Sequence, residues 1–555
     1  MNDDNNYHVS EMTTLLVLAP RDELSTAGIE KYVASVTSSH TVKKIIVFNT
    51  SSTDGSESMK VELANMGYDV QVIYLDKMTT EGHSTKSEIQ GLPWKNLELI
   101  VAAARTSKNP IFSLGRGSRL NDHLMWLACV ISEGESVHVI GKDVHIDTYI
   151  PEKMFSNSQT TDGTFKEFLE LKSYAMLNNY EFREYFLSSK LKGGTTAATH
   201  KGIQSSLKSA IEKGMVDKIH ENKEVFYRLN ASGWPKALSS WSSWRSNNEE
   251  LVLKKRLVIT AGRMPDPSDN EPQKGQFSLP QYLKNLEPFD GFISLIQRYD
   301  KTIEGRHILS FEEGIEKFKD HELSSKLQMT AEILNRKQDM DDIPRARHIL
   351  VINPDGSKEC TEELLDQILH SLTLFEKING LHKWAVDMTA PLASISHILS
   401  MFAFSTGSEI NYVLKKGGEA GPSGESVSES LFASADHCLR VPGRMAVENI
   451  GSKKGGKMNT LVAFVIDETD TKSASLAPWE TSAESNPVEE GLSANDIKEI
   501  AIKHKLKGVT GAERNLRELH ASGFVINLNP DGGNKQRRFI LSNEGRFLAR
   551  LFNKK

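Results

Sequence analysis

The chain has 555 residues, 38% hydrophobic and 25% charged, a balance that fits a globular protein of several domains and excludes a fibrous or low-complexity one. No apolar run approaches the roughly 18 residues of a membrane helix, and the polar start Met1 to Ser10 lacks the apolar stretch of a signal peptide. The cysteines, Cys129, Cys360 and Cys438, are too far apart for a metal or disulfide framework, so a cytoplasmic location, no membrane and no metal are expected.

Residues 13–150 alternate short apolar runs with helical patterns. The runs are Thr14–Ala19, Lys44–Asn49, Val70–Leu75, Pro110–Leu114 and Ser136–Ile140; Ile29–Val36, Ser58–Met66, Leu97–Ala104 and Asn121–Ile131 lie between them. Buried strands spaced by helices predict a parallel sheet covered on both faces, a Rossmann-like domain. Phe165–Leu177 and Glu181–Leu187 then read as helices, Thr195–Lys213 as a longer amphipathic one, and Val216–Ile219 with Val225–Leu229 as a hairpin. Helices followed by a two-stranded ribbon make a winged helix-turn-helix pattern.

The alternation of strands and helices resumes at Arg256–Thr260 and continues through His307–Ser310, His348–Ile352, Trp384–Met388 and Ile410–Leu414. Glu359–Glu376 and Ser394–Ser405 are the clearest intervening helices, and the polar segment from Thr471 to Asn495 reads as a linker. The expected fold class is α/β plus winged helix. Rossmann-like domains at 11–150 and 252–470 alternate with winged helix-turn-helix domains at 160–246 and 496–555, and 471–495 is the linker.

The two ribbon-bearing segments are copies of one plan. Lys190-Leu191-Lys192-Gly193 leads through a helix to Gly214-Met215-Val216, a hairpin and Leu229-Asn230-Ala231-Ser232-Gly233. Lys505-Leu506-Lys507-Gly508 leads in the same order to Gly523-Phe524-Val525, a hairpin and Leu541-Ser542-Asn543-Glu544-Gly545. Landmarks in register mark an internal repeat. Charge follows it. Residues 497–555 hold 13 Lys+Arg and 5 Asp+Glu (+8), and residues 182–245 hold 11 and 5 (+6), so the total of −6 leaves −20 elsewhere. Cations concentrated on the repeats suit phosphate.

The strongest candidate for a small ligand is the turn after the fourth strand, Leu114-Gly115-Arg116-Gly117-Ser118-Arg119, which follows Ser113. Glycines let backbone N–H groups approach an anion, the helix start favours negative charge, and the arginines add paired donors. Loops expected on the same edge carry Pro20, Arg21 and Thr26 after the first strand, and Asn49 and Thr50 at the end of the second. In the later α/β domain the matching turn reads Asp387-Met388-Thr389-Ala390-Pro391, where Thr389 and Pro391 are either ligand contacts or a helix start.

A parallel sheet whose fourth strand enters a glycine-rich turn and helix, followed by a winged helix, resembles the CARF (CRISPR-associated Rossmann fold) family. The usual turn of that family is similar to T-G-G-T-K; Leu114 to Ser118 and Thr389 to Leu392 depart from it. The resemblance implies α/β domains paired about a two-fold axis, here an intramolecular pseudo-dimer or a homodimer. It also implies a cyclic oligoadenylate ligand, with no further cofactor, and winged helices as the output.

Candidate contacts to double-stranded DNA are Thr195, Thr196, Thr199, Lys201 and Gln204 in the first repeat and Thr510, Arg514, Asn515 and Arg517 in the second. The ribbons add Lys223 and Lys535, Arg537 and Arg538. No catalytic constellation stands out among the 17 histidines and the acidic runs. A ligand-responsive DNA-binding transcriptional regulator is the expectation. The alternatives are a metal-independent ring nuclease acting on the cyclic nucleotide and a scaffold whose winged helices hold proteins.

Overall fold

The computed structural model describes residues 13–19, 33, 36, 41–49, 55–76, 86–114, 119–132, 134–138, 148–149, 177–178, 207–221, 224–229, 252–261, 289–297, 307–336, 346–352, 367–369, 371–372, 375–376, 379–389, 393–406, 408–413, 438–441, 456–470, 491–521, 524–529, 537–542, 545 and 549. The first sheet is built from β1 (Thr13–Leu18), β2 (Val42–Asn49), β3 (Asp69–Tyr74), β4 (Pro110–Leu114), β5 (Glu135–His138) and β6 (Thr148–Tyr149). Its order is β3-β2-β1-β4-β5-β6, parallel through β5 with β6 antiparallel at the edge. Helices α1 (Gly55–Asn65), α2 (Lys86–Arg105) and α3 (Arg119–Ile131) supply crossovers.

Alternate residues of each buried strand point to opposite faces, and two apolar clusters record this. Leu15, Val17, Ile45, Val47, Ile111 and Val137 meet Val33, Val36, Met59 and Leu63 on one face. Leu16, Leu18, Ile46, Phe48, Phe112 and Leu114 meet α2 and α3 on the other.

A ribbon follows. β7 (Leu177–Asn178) pairs with β9 (Glu224–Leu229), which pairs with β8 (Val216–Glu221). Leu177 is therefore the start of a strand, not the end of the helix predicted from Phe165, because its backbone is claimed by Tyr227. The rest of that predicted helix, Glu181–Leu187 and most of the long helix lie outside the described residues.

The second sheet contains β10 (Val252–Thr260), β11 (Gly291–Gln297), β12 (His307–Ser310), β13 (Ala346–Ile352), β14 (Leu381–Asp387), β15 (Glu409–Val413) and β16 (Cys438–Val441). Its order is β12-β13-β11-β10-β14-β15-β16. Without the antiparallel edge strand β12, this is the order of the first sheet, down to an antiparallel last strand after five parallel ones. Sequence patterning missed β11 and β16. Phe292 and Ile293 are fully buried on opposite faces of β11, and Ser294 interrupts its apolar run. Helices α4 (Phe311–Lys317) and α5 (Glu322–Arg336) cover one face of this sheet, and α6 (Ala393–Thr406) covers the other. A capping box starts α4: Ser310 Oγ accepts from Glu313 N, and Glu313 Oε2 accepts from Ser310 N at 2.8 Å.

Helices α3 and α6, which leave the equivalent strands β4 and β14, pack directly on each other. A single apolar cluster runs from the first sheet through α3 and α6 into the second, while the outer faces keep separate clusters. Trp126, Met401 and Phe402 are fully buried in it, each contributing about 1.5–3 kcal/mol by burial.

The C-terminal unit contains α7 (Gly456–Asp470), α8 (Ala494–Lys503), α9 (Ala512–Ala521), β17 (Val525–Asn527) and β18 (Phe539–Leu541). Ser493 and Asp496 form a capping box that starts α8. The repeated Lys-Leu-Lys-Gly is the turn between α8 and α9: Lys505 and Gly508 take left-handed backbone, φ 56° and 77°. α7 packs against α8, α9 and β18, and a Cβ on Gly456 would collide with the Gly508 carbonyl.

The two ribbons share local geometry. Met215 N bonds Ala210 O at 3.0 Å where Phe524 N bonds Leu519 O at 2.9 Å. Val216 pairs with Leu229 as Val525 pairs with Leu541, and Leu177 pairs with Tyr227 as Leu492 pairs with Phe539.

Candidate functional site

The carboxyl ends of the parallel strands are where such sheets hold ligands. In the first sheet, Asn49 and Ser113 sit there, both buried, and the Oγ of Ser113 has no hydrogen-bond partner. Arg119 opens α3 and lies 3.3 Å from Asp122 Oδ2. The edge is tied down beyond β3: Leu75 N donates to Asn49 O at 2.7 Å, Asp76 N donates to Asn96 Oδ1 at 2.8 Å, and Asn96 Nδ2 donates back to Asp76 O at 2.9 Å. Pro20, Arg21, Thr26, Thr50, Gly115, Arg116, Gly117 and Ser118 lie outside the described residues.

The second sheet ends differently. Thr260 pairs in register with Ser294, and Asp387 with Asn411. Thr260 Oγ1 donates to Asp387 Oδ2 at 2.9 Å, joining the pairs into one transverse row across β11, β10, β14 and β15. All four residues are fully buried. Asp387 Oδ1 also accepts from the backbone N of Thr389 at 2.9 Å and from its hydroxyl at 2.5 Å. Burial pushes the Asp387 carboxyl above its ordinary pKa, opposed by the bonds from Thr389 and Thr260. Ser294 Oγ and both polar atoms of Asn411 have no partner. Thr389 thus turns its hydroxyl onto Asp387, and Pro391 lies outside the described residues.

The paired helices between the sheets contain His123, whose Nδ1 is 2.8 Å from Ser400 Oγ with both residues buried. His123 and His397 stand at equal distances from Ser113 and Asp387 along the chain, and both are buried on facing helices. Sequence reasoning missed these residues and the polar row. The only available signals were polar residues closing otherwise apolar strands and a histidine inside an apolar helix.

In the C-terminal unit, Thr510, Arg514 and Arg517 lie on the outer side of the turn and of α9. Arg514 Nε is 2.7 Å from Glu518 Oε1, and Arg517 Nη2 is 3.5 Å from Glu513 Oε1. Glu518 also holds Lys457 of α7 at 2.7 Å; the hydrogen bonds from Lys457 and then Arg514 hold its carboxyl below the ordinary range. Asn515 spends its amide on Thr460 Oγ1 at 3.0 Å, joining α9 to α7. Arg538 bonds Asp496 at 2.8 Å and Gly491 O at 3.1 Å, and Arg537 beside it is half-buried. Thr195, Thr196, Thr199, Lys201, Gln204, Lys223 and Lys535 lie outside the described residues. Among the described residues no group of three or more His, Cys, Asp or Glu is placed to hold a metal ion, and no helix is long and apolar enough to cross a membrane.

No protein-family model matches the chain, and no curated protein matches it. Among solved structures, Can2 from Sulfobacillus thermosulfidooxidans in complex with cyclic tetra-adenylate is similar at 8% identity, over 44% of this chain and 71% of that one, with a TM-score of 0.18. Protein VC1899 from Vibrio cholerae is similar at 10% identity over 51% of this chain and 88% of its own, TM-score 0.18. The UDP-GlcNAc 2-epimerase from Methanocaldococcus jannaschii is similar at 10% identity over 74% and 85%, TM-score 0.15.

Proposed function

We propose that the chain is a nucleotide-responsive DNA-binding regulator: a CARF-like pseudo-dimer within one chain, coupled to two winged helices. The observation that carries the sensor half is the shared strand order of the sheets together with the buried packing of α3 on α6. A pair packed this way couples the two sheets, so a ligand with different affinity for two arrangements of the pair shifts their balance. In this reading the turn Gly115–Ser118 with Arg116 and Arg119 takes phosphate, and the ligand class is a cyclic oligoadenylate.

The reader half rests on the ribbon units. In the C-terminal one, α7, the strand-like Leu492, α8, α9 and the β17–β18 ribbon follow one another in the winged-helix order, so we place the start of that domain at Gly456 rather than after the linker. Arg514 and Arg517 on the exposed side of α9 are the groups offered to phosphate or base edges. Electrophoretic mobility shift of a duplex library, with and without cyclic tetra-adenylate, tests the whole. Binding that changes with the ligand supports it; no binding under either condition at modest salt removes it.

One observation favours a protein partner for the same unit. Ile502, Ile526 and Leu528 are 79%, 47% and 47% exposed there, and the α9 arginines are each bridged to a glutamate. DNA binding unchanged by removal of Arg514 and Arg517 would transfer the unit to that reading.

A further inference from the structure

The two sheets share a strand order but differ at one edge. In the second, the outer side of β13 is closed by β12, which runs antiparallel to it. The equivalent strand of the first sheet is β3, and among the described residues it pairs with β2 alone. The connection from β11 to β13 supplies β12 before it forms α4 and α5. The matching connection from β2 to β3 holds α1 and, among the described residues, no strand.

The backbone of β3 is set to take a cover of the same kind. Leu75 N donates to Asn49 O, so Gln71 and Ile73 also turn their N–H and C=O toward β2. Val70, Val72 and Tyr74 turn theirs to the open side. Open edges are normally blunted by lysine, proline or a bulge. β3 has neither residue, its register with β2 is unbroken, and its one charged residue, Asp69, stands beside Lys44. Val70 and Val72 pack with Met59 and Leu63 of α1, and Tyr74 falls on the same face by alternation. Tyr74 is 52% exposed, and Met66, at the opposite end of β3, is 43% exposed.

We infer that β3 pairs antiparallel with β3 of a second copy of the chain, about a two-fold axis through Val72, so that two first sheets join edge to edge. A two-fold contact brings the same surface together from both sides, and β3 is complementary to itself. Outward-facing residues meet outward-facing ones when Val72 stands opposite Val72 and Val70 opposite Tyr74. Each of these pairs exchanges both backbone hydrogen bonds. On the α1 face every opposed pair is then β-branched or aromatic, the kind that stabilises neighbouring strands. Asp69 meets no like charge in this register. A register centred on Gln71 would carry Tyr74 past the end of the partner strand. The packing of α3 on α6 lies elsewhere in the sheet order and stays within each chain.

Sedimentation velocity of the full chain over a concentration series tests this. A reversible monomer–dimer equilibrium is expected. Tyr74→Lys, at an exposed position, is expected to raise the dissociation constant roughly tenfold, since the two-fold axis counts each lost Val70–Tyr74 contact twice. Val72→Pro removes an N–H that faces the open edge and carries the same expectation if the lysine variant fails to fold. Ile502→Lys, on the exposed side of α8, should leave the equilibrium unchanged. Val72→Cys reads the register. A hydrogen-bonded antiparallel pair sets the two Cα atoms about 5.5 Å apart, within reach of a disulfide. Mild oxidation should therefore link two copies of that variant, with the wild type, which has its own cysteines, as the background. A chain that is monomeric at every concentration overturns the inference. So does a dimer as tight in Tyr74→Lys as in the wild type, or a chain that dimerises without the Val72→Cys crosslink.

Discussion

His123 donates its Nδ1 hydrogen to Ser400 Oγ across the junction of the two sheets. The direction follows from Ser400, whose single hydroxyl hydrogen goes to Ser396 O at 2.8 Å, so its oxygen can only accept at the 2.8 Å contact with His123. A buried bond between helices of different sheets reports directly on their docking.

A double-mutant cycle tests that docking. His123→Ala and Ser400→Ala are each expected to lower the unfolding free energy by about 1–3 kcal/mol, with a coupling of about 1 kcal/mol between them. Denaturant unfolding followed by tryptophan fluorescence measures it. Strict additivity would show that the contact does not hold the sheets together.

Glu518 predicts an acid limb. Its folded pKa is depressed by Lys457 and Arg514, so the stability it adds is present above the unfolded carboxylate value of roughly 4.3 and disappears as pH falls through the lower folded value. Hydrogen exchange in α7 and α9 should rise over that window in the wild type. Glu518→Gln should make exchange there faster at neutral pH and flatten its pH dependence.

Asp387 has the opposite sign. Its folded pKa is raised, so its contribution is largest below the unfolded value and falls as pH climbs from there through the folded value. Asp387→Asn keeps an acceptor for Thr389 and removes a buried charge. The melting temperature of the variant relative to wild type should be higher at neutral pH than at pH 4; a difference that does not vary with pH would show that Asp387 titrates alike in the folded and unfolded chain.

Gly456 brings α7 against the turn between α8 and α9 because its missing Cβ leaves room for the Gly508 carbonyl. Gly456→Ala should cost about 1–3 kcal/mol through the forced shift and should weaken any DNA binding that needs α9 fixed. Normal melting with full DNA affinity would show that the junction tolerates separation.

Charge removal at α9 separates phosphate contact from packing. If DNA is the partner, Arg514→Ala and Arg517→Ala should each weaken binding across all sequences and reduce the salt slope by about one. Asn515→Ala should instead lower stability, since its amide is committed to Thr460.

Much of this architecture was legible because its signals are local. Ile45–Phe48 within Lys44–Asn49, and Ile349–Ile352 within His348–Ile352, are apolar throughout, as parallel strands buried on both faces are, and β2 and β13 fall on them. The ribbon landmarks Gly214 and Val216 were legible for the same reason: Gly214, φ 65°, suits the left-handed position that commonly follows a helix. Asn515 bonds Thr460 of the neighbouring helix α7, a contact that its position near a helix start does not reveal in the sequence.

The sequence by itself determined the two α/β blocks, the repeated ribbon units and where the positive charge gathers, since periodicity and composition act over a few residues. Only the tertiary structure decided that α3 docks on α6, that α7 belongs with α8 and α9, and that Thr260, Ser294, Asp387 and Asn411 form one buried row. Those residues lie far apart in the chain, and strand register, a long-range hydrogen-bonding pattern, is what sets them side by side.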